Sequence, residues 1–494
     1  MKRPQTVKGL RDTDYEPRTV KEEMRHNLII AMEQGENRFP GIVGYDRTVI
    51  PQIENAILSG HDFILLGLRG QAKTRLLRSL VRFLDEWIPA VDGCELNDDP
   101  LQPVCPACKR RAAAEGDALP VRWIHRDERY REKLATPDVT IADLIGDIDP
   151  IKAANQRLSY SDPEVMHYGI IPRTNRGIFA INELPDLQPR IQVGLLNILE
   201  EKDIQVRGFP IRLPLDIQIV FSANPEDYTN RGNIITPLRD RIASQIMTHY
   251  PYTIDDAMRV TEQEAWVKRG DGIEVVVPSY IRELVEMVAV QARKSSYVDQ
   301  SSGVSVRMTI ALLENLISNA ERRAIRTGER RQAVRLCDLQ HAIASITGKV
   351  ELVYEGEQEG SVAVAKHLVG KAVKEIFAKY FPDAYKAKEK NEGSPSEYDA
   401  IFRWFATGKK VEISDELPTR EFHQRLSQVN GLEELPKRYL PLRDPAELPT
   451  AMEFVLEALH QNSILAKERT DEAALAYTDM FSTMLGKPAE EADD

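Results

Sequence analysis

Gly67-Leu68-Arg69-Gly70-Gln71-Ala72-Lys73-Thr74 stands between two apolar stretches. Ahead of it runs His61-Asp62-Phe63-Ile64-Leu65-Leu66; behind it Leu76, Leu77, Leu80 and Leu84 recur at helical spacing. A buried strand, a turn of small residues and a helix opening on Lys-Thr form the setting of a phosphate-binding loop. In such a loop the backbone N–H groups wrap a phosphate. Lys73 reaches the β- and γ-phosphates, and the Thr74 hydroxyl ligates Mg²⁺. ATP and Mg²⁺ are therefore the expected cofactors. Ala72 occupies the place of the second glycine in this pattern, which adds a methyl group and removes conformational freedom. Taken alone, the octapeptide also fits a glycine turn with a solvated lysine, so its neighbours must decide.

Outward from the loop, strand-like runs recur at Val121–Ile124, Gly177–Ile181 and Ile217–Phe221, with helical spacing between the last two at Ile191, Leu195, Leu196, Ile198 and Leu199. Short apolar strands alternating with helices predict an α/β domain with a mostly parallel sheet. The strand at 177–181 ends in Asn182-Glu183. An ATPase places an acidic pair there, one residue supporting Mg²⁺ and the next polarising the attacking water. Asn182 can hold a metal-bound water through its amide oxygen but carries no charge. The next strand ends in Ser222-Ala223-Asn224-Pro225. Pro237-Leu238-Arg239-Asp240-Arg241 follows, and Val304-Ser305-Val306-Arg307 opens a later helix.

In this order and spacing the chain resembles the AAA+ ATPases, and within them the branch of the magnesium chelatase I subunit and the MoxR proteins. The resemblance spans roughly residues 38–350. It implies that Asn224 is the sensor 1 residue and that Arg241, with Arg239 second, is the arginine finger for a neighbouring subunit. Arg307 matches the sensor 2 arginine. Gly41-Ile42-Val43-Gly44 is similar to the segment against adenine, which assigns Val43 and Gly44 to the nucleotide with Gly67–Thr74 and Asn182. Asp143-Leu144-Ile145-Gly146-Asp147-Ile148-Asp149 resembles the opening of the helix-2 insertion, and Ile204–Leu213 predicts a β-hairpin. The family implies a homo-oligomeric ring, commonly a hexamer. It also implies remodelling of a partner protein, often one with a von Willebrand factor A domain. The alternatives are a non-hydrolysing, nucleotide-dependent assembly module and the magnesium chelatase ATPase subunit proper. A transcription activator of this class would carry a GAFTGA loop, which the sequence lacks.

Composition narrows the classes. The 494 residues suggest roughly three domains, and 42% hydrophobic with 29% charged residues is the make-up of a folded chain. Lys+Arg 65 against Asp+Glu 77 leaves −12, with no basic field for nucleic acid, so a protein partner is the better expectation. No apolar run approaches the roughly 20 residues of a membrane span, and the N-terminus lacks a signal-peptide core; a cytoplasmic protein is expected. The pattern divides the chain into a lead-in (1–38), an α/β nucleotide-binding domain (39–250) with an insertion at 89–120, a helical lid (251–350) and a mainly helical C-terminal domain (351–494). The insertion carries Cys94, Cys105 and Cys108, the last two as a CxxC. Three thiolates at this spacing suit a tetrahedral Zn²⁺. The fourth ligand stays open, with His125 nearest and Asp98 or Asp99 less usual; an iron–sulfur ligand set and a reduced, merely packed loop are the other readings. Arg322, Arg323, Arg326, Arg330, Arg331 and Arg335 form a basic stretch expected at a subunit interface or a solvated helix end.

Overall fold

The computed structural model describes residues 3–156, 165–205, 212–225, 233–270, 272–384, 396–469 and 474–480. The chain divides into two compact units, one ending at Tyr250 and one beginning at Pro251.

The first unit is built on five parallel strands: β1 (Phe63–Leu66), β2 (Tyr130–Leu134), β3 (Gly177–Asn182), β4 (Ile217–Ala223) and β5 (Ser244–Met247). Their order across the sheet is β5-β1-β4-β3-β2. Successive side chains point to opposite faces. Phe63 and Leu65 therefore pack with helices Val20–Glu33, Val49–Leu58 and Lys73–Ser79, while Ile64 and Leu66 pack with 187–199 and the inserted module. All strands run the same way, so their C-terminal ends share one edge. That edge carries Gly67, Glu183, Asn224 and Thr248, the usual position of ligands in an open α/β sheet.

Two expectations change here. Val121–His125 does not enter the parallel sheet; it pairs antiparallel with Trp87–Val91 beside the insertion. The strand that does, β2, lies at the sheet edge and reads Tyr-Arg-Glu-Lys-Leu, with no buried residue among its five. An edge strand lacks the continuous apolar run of a central one, which is why its sequence is unremarkable. The lead-in is also part of the unit. Arg129 and Glu23 form an ion pair with both side chains buried, and Asp216 accepts the Val20 N–H at 2.9 Å. Asp203–Gln205 and Arg212–Pro214 pair antiparallel as the flanks of the expected hairpin; its tip, 206–211, lies outside the described residues, as do 157–164 of the helix-2 insertion.

The second unit holds helices Ile254–Glu264, Ser279–Lys294, Arg307–Thr327, Ser361–Tyr380 and Glu447–Gln461 over one continuous core running from Val277 to Tyr477. An antiparallel sheet of Val411–Ser414, Ala474–Asp479 and Leu465–Arg469 completes it. The expected break near residue 350 is therefore not a break in the core. The basic stretch explains why. Arg323 and Arg335 are buried, Arg322 pairs with Asp415 at 3.2 Å, and Arg326 and Arg331 reach Glu416 and Asp444. Arg322, Arg326 and Arg331 stay solvent-exposed while pairing with carboxylates of the later segment, and Arg323 and Arg335 are buried against Asp338 and backbone carbonyls.

Candidate functional site

The loop after β1 closes through two left-handed residues, Gly70 (φ 78°) and Ala72 (φ 57°). Alanine in this region costs roughly 1 kcal/mol, and the fold holds it there. Gly67 is required by close approach: a Cβ would lie 1.9 Å from Thr248 Oγ1 and 2.2 Å from Gln71 Oε1. The braces come from the strand ends. Thr248 Oγ1 donates to Gln71 Oε1 at 2.7 Å, Tyr45 OH to the Gln71 carbonyl at 3.0 Å, and Tyr250 OH to the Arg69 carbonyl at 2.9 Å. The Tyr45 ring also packs edge-on against His249 at 4.9 Å.

Inside this frame Lys73 is 7% exposed. Its ammonium donates to the Gly67 and Leu68 carbonyls and to Asn224 Oδ1 at 2.7 Å. Asn224 Nδ2 then donates to Glu183 Oε2 at 3.2 Å. The loop after β1, the end of β4 and the end of β3 are thus joined through Lys73, Asn224 and Glu183. Glu183 is itself left-handed (φ 56°, ψ 50°), and Ser222 Oγ beside it donates to Asn182 Oδ1 at 3.0 Å. Strain of this kind concentrates where side chains must be held in a set direction. Thr74 lies half-buried on the first turn after Lys73, and Val43 and Gly44 immediately precede the Tyr45 brace. Thr248, Tyr45 and Tyr250 were not singled out from sequence; the signal was their place just beyond a strand end or beside the Gly41–Gly44 segment.

The sequence-assigned arginines separate. Arg241 is tied down by Glu200 (Nε–Oε2 2.7 Å) and the Pro237 carbonyl (3.0 Å). Arg239 is exposed, its side chain without a hydrogen bond or ion pair to a described residue, and it borders a cleft with Leu66, Asn233 and Gln245. Arg307 is the exposed first residue of its helix in the second unit.

The donor set fits a nucleotide triphosphate with Mg²⁺. The loop has a buried cation and a turn that would reject a side chain at Gly67, and Thr74 and Asn182 offer neutral oxygens for the metal. A parallel β5-β1-β4-β3-β2 sheet with a phosphate loop after its first strand defines the P-loop ATPase class. Residues 122–242 match the family described as AAA domain (dynein-related subfamily), so the chain carries an AAA+ domain. The match begins after the phosphate loop and the cysteine module. Hydrogenase transcriptional regulatory protein HoxA of Cupriavidus necator is 30% identical over 87 residues, 17% of this chain and 18% of that protein. The chain thus spans under a fifth of the length of this curated relative. Among solved structures, a chain of the magnesium chelatase BchI–BchD complex is similar at 19% identity over 65% of this chain and 98% of that one, TM-score 0.34. Hsp104 with ATPγS and casein is similar at 13% over 68% and 53%, TM-score 0.37.

In the insertion, Cys94, Cys105, Cys108 and Asp98 are all buried, and their ligand atoms lie within 4.8 Å of one another. Asp98, not His125, completes the group. His125 stacks edge-on against Trp87 and pairs with Asp127, and Asp99 is held by Tyr15 (2.5 Å) and Arg176 (2.9 Å).

Proposed function

We propose that this protein hydrolyses Mg·ATP and uses the cycle to remodel a partner protein. The observation that supports it best is the Lys73–Asn224–Glu183 chain across the C-terminal edge of the sheet. Lys73 and the loop N–H groups bind the β- and γ-phosphates, and Thr74 with Asn182 hold the metal. Mg²⁺, when bound, supplies charge neutralisation on the phosphate oxygens. Glu183 polarises the attacking water. Asn224 sits between base and cation, where it registers the γ-phosphate by exchanging the Lys73 contact for one to phosphate. With no aspartate at 182 the metal is held by neutral oxygens, so turnover is slow.

The same reading assembles the chain into a ring, a hexamer in the resembled family, with an arginine from one subunit reaching the nucleotide of the next. The geometry favours Arg239 for this role, because Arg241 is engaged by Glu200. The partner is a protein, of the kind with a von Willebrand factor A domain, in keeping with the −12 charge, and the site of action is cytoplasmic. Among the described residues no helix is long and apolar enough to cross a membrane. Sedimentation of the full chain with and without Mg·ATP, alongside phosphate release, tests the proposal. Nucleotide-dependent assembly with steady phosphate release is expected. Assembly without phosphate release would leave the assembly-module alternative instead.

A further inference from the structure

We propose that Cys94, Cys105, Cys108 and Asp98 hold one zinc ion, and that this ion pins the inserted module to the segment that leads into β3. The cysteines sit in the apolar core of the first unit with Leu96, Val121 and Leu119. Asp98 is 0% exposed. Its Oδ2 accepts the N–H groups of Val104 (3.1 Å) and Cys105 (2.8 Å). Its Oδ1 is buried and has no hydrogen-bond partner among the described residues. A buried carboxylate oxygen without a donor costs several kcal/mol unless a proton or cation meets it, and three sulfur atoms lie beside it.

The backbone is already arranged for thiolates. The Leu96 N–H donates to Cys94 Sγ and the Cys108 N–H to Cys105 Sγ, both at 3.3 Å. Cys105 caps the helix Pro106–Glu115, so Cys108 returns on its first turn to the same side. Four ligand atoms within 4.8 Å of one another need only small side-chain rotations to reach the ~3.8 Å edges of a tetrahedron with ~2.3 Å Zn–S bonds. The space suits one ion and not a cluster. Three thiolates and a carboxylate leave net negative charge around a divalent ion. Arg122, donating to the Cys94 carbonyl (3.2 Å) and Asn97 Oδ1 (2.8 Å), places a guanidinium alongside.

The module's attachment gives the ion its consequence. Asn175 Nδ2 donates to the Leu96 carbonyl (2.9 Å), and Arg176 donates to the Pro89 carbonyl (2.7 Å) and pairs with Asp99 (2.9 Å). Residues 175 and 176 run directly into β3, which ends at Asn182, just before Glu183. A metal that fixes residues 94–108 therefore fixes the start of that strand.

Elemental analysis of the full chain, purified without added metal, should give ~1 zinc per chain. Modification of the three thiols by a mercurial should release that zinc in step. Cys105→Ser/Cys108→Ser should fall below about 0.2 zinc per chain, and Asp98→Ala should lose most of its zinc, with residues 89–120 becoming the first site of proteolysis. Cys337→Ser, in the other unit, should keep its metal. If the variants fail to fold, the wild-type stoichiometry and mercurial release still decide. Less than about 0.2 zinc with freely reactive thiols, a disulfide within the cluster, or iron with visible absorption in place of zinc would each overturn the assignment.

Discussion

Both units bury charged side chains, yet they do so in opposite ways. At the sheet edge of the first unit, Lys73 bonds to two carbonyls of its own loop and to one amide, flanked by left-handed Ala72 and half-buried, left-handed Glu183. In the second unit, Arg323 donates to Asp338 (2.6 Å), Gln332 (3.0 Å) and the Ala333 carbonyl (2.7 Å), while Glu453 accepts the Leu336 and Cys337 N–H groups at 2.8 Å each. That network is buried, unstrained and closed on carboxylates, the Gln332 amide and backbone. The first arrangement can exchange its partners for a ligand; the second can only lose them. Charge burial alone therefore marks neither function nor scaffold. The distinguishing signs are backbone strain and a partner set that a substrate can replace.

Removing a charge on each side tests this difference. Lys73→Ala should weaken ATP binding by about 10³-fold, ~4 kcal/mol, with little change in melting temperature; calorimetric titration and a melt read both. Arg323→Ala should do the reverse. It strands Asp338 without its cation and should cost ~3 kcal/mol of stability in the second unit, read by denaturant unfolding, while the folded fraction binds ATP normally. If Arg323→Ala changed affinity as strongly as Lys73→Ala, the contrast would fail.

A smaller effect separates the two arginines. Arg239→Ala should lower turnover by about 10²-fold without altering nucleotide affinity, whereas Arg241→Ala should remain within about threefold. The opposite ranking would return the finger to Arg241. The mildest effect is pH-dependent. Burial pushes the Glu453 carboxyl from 4.5 up to about 7, and Glu286 likewise to about 7. A carboxyl raised on folding binds its proton more tightly in the native state, so the stability these two carboxyls contribute is fully present below about 4.5 and is lost as pH rises through 7. Glu453→Gln should flatten that fall by ~2 kcal/mol, measured as the difference between the two melting profiles over pH 5 to 8. Parallel profiles would remove Glu453 from the account.

The proposed nucleotide site could be read from the sequence because its residues lie in two contiguous groups, 67–74 directly after β1 and 182–183 at the end of β3. What escaped the sequence depended on distant partners. Asp98 and Asp99 are equivalent on paper, and only folding sends one to the cysteines and the other to Tyr15 and Arg176. Arg322 finds Asp415 93 residues on, and Arg323, within a stretch resembling a solvated helix face, is buried against Asp338. The edge strand Tyr130–Leu134 carried no apolar signature because it is only partly covered, with none of its residues buried. Ala72 was visible as a departure, but its left-handed backbone was not.

The central claim is that Glu183 activates water at a site built by Lys73 and Asn224. Nucleotide binding and single-turnover hydrolysis by Glu183→Gln, beside the wild type, test it most directly. The account predicts ATP affinity within about threefold of wild type and hydrolysis reduced at least ~10²-fold. Hydrolysis at the wild-type rate in Glu183→Gln would contradict it.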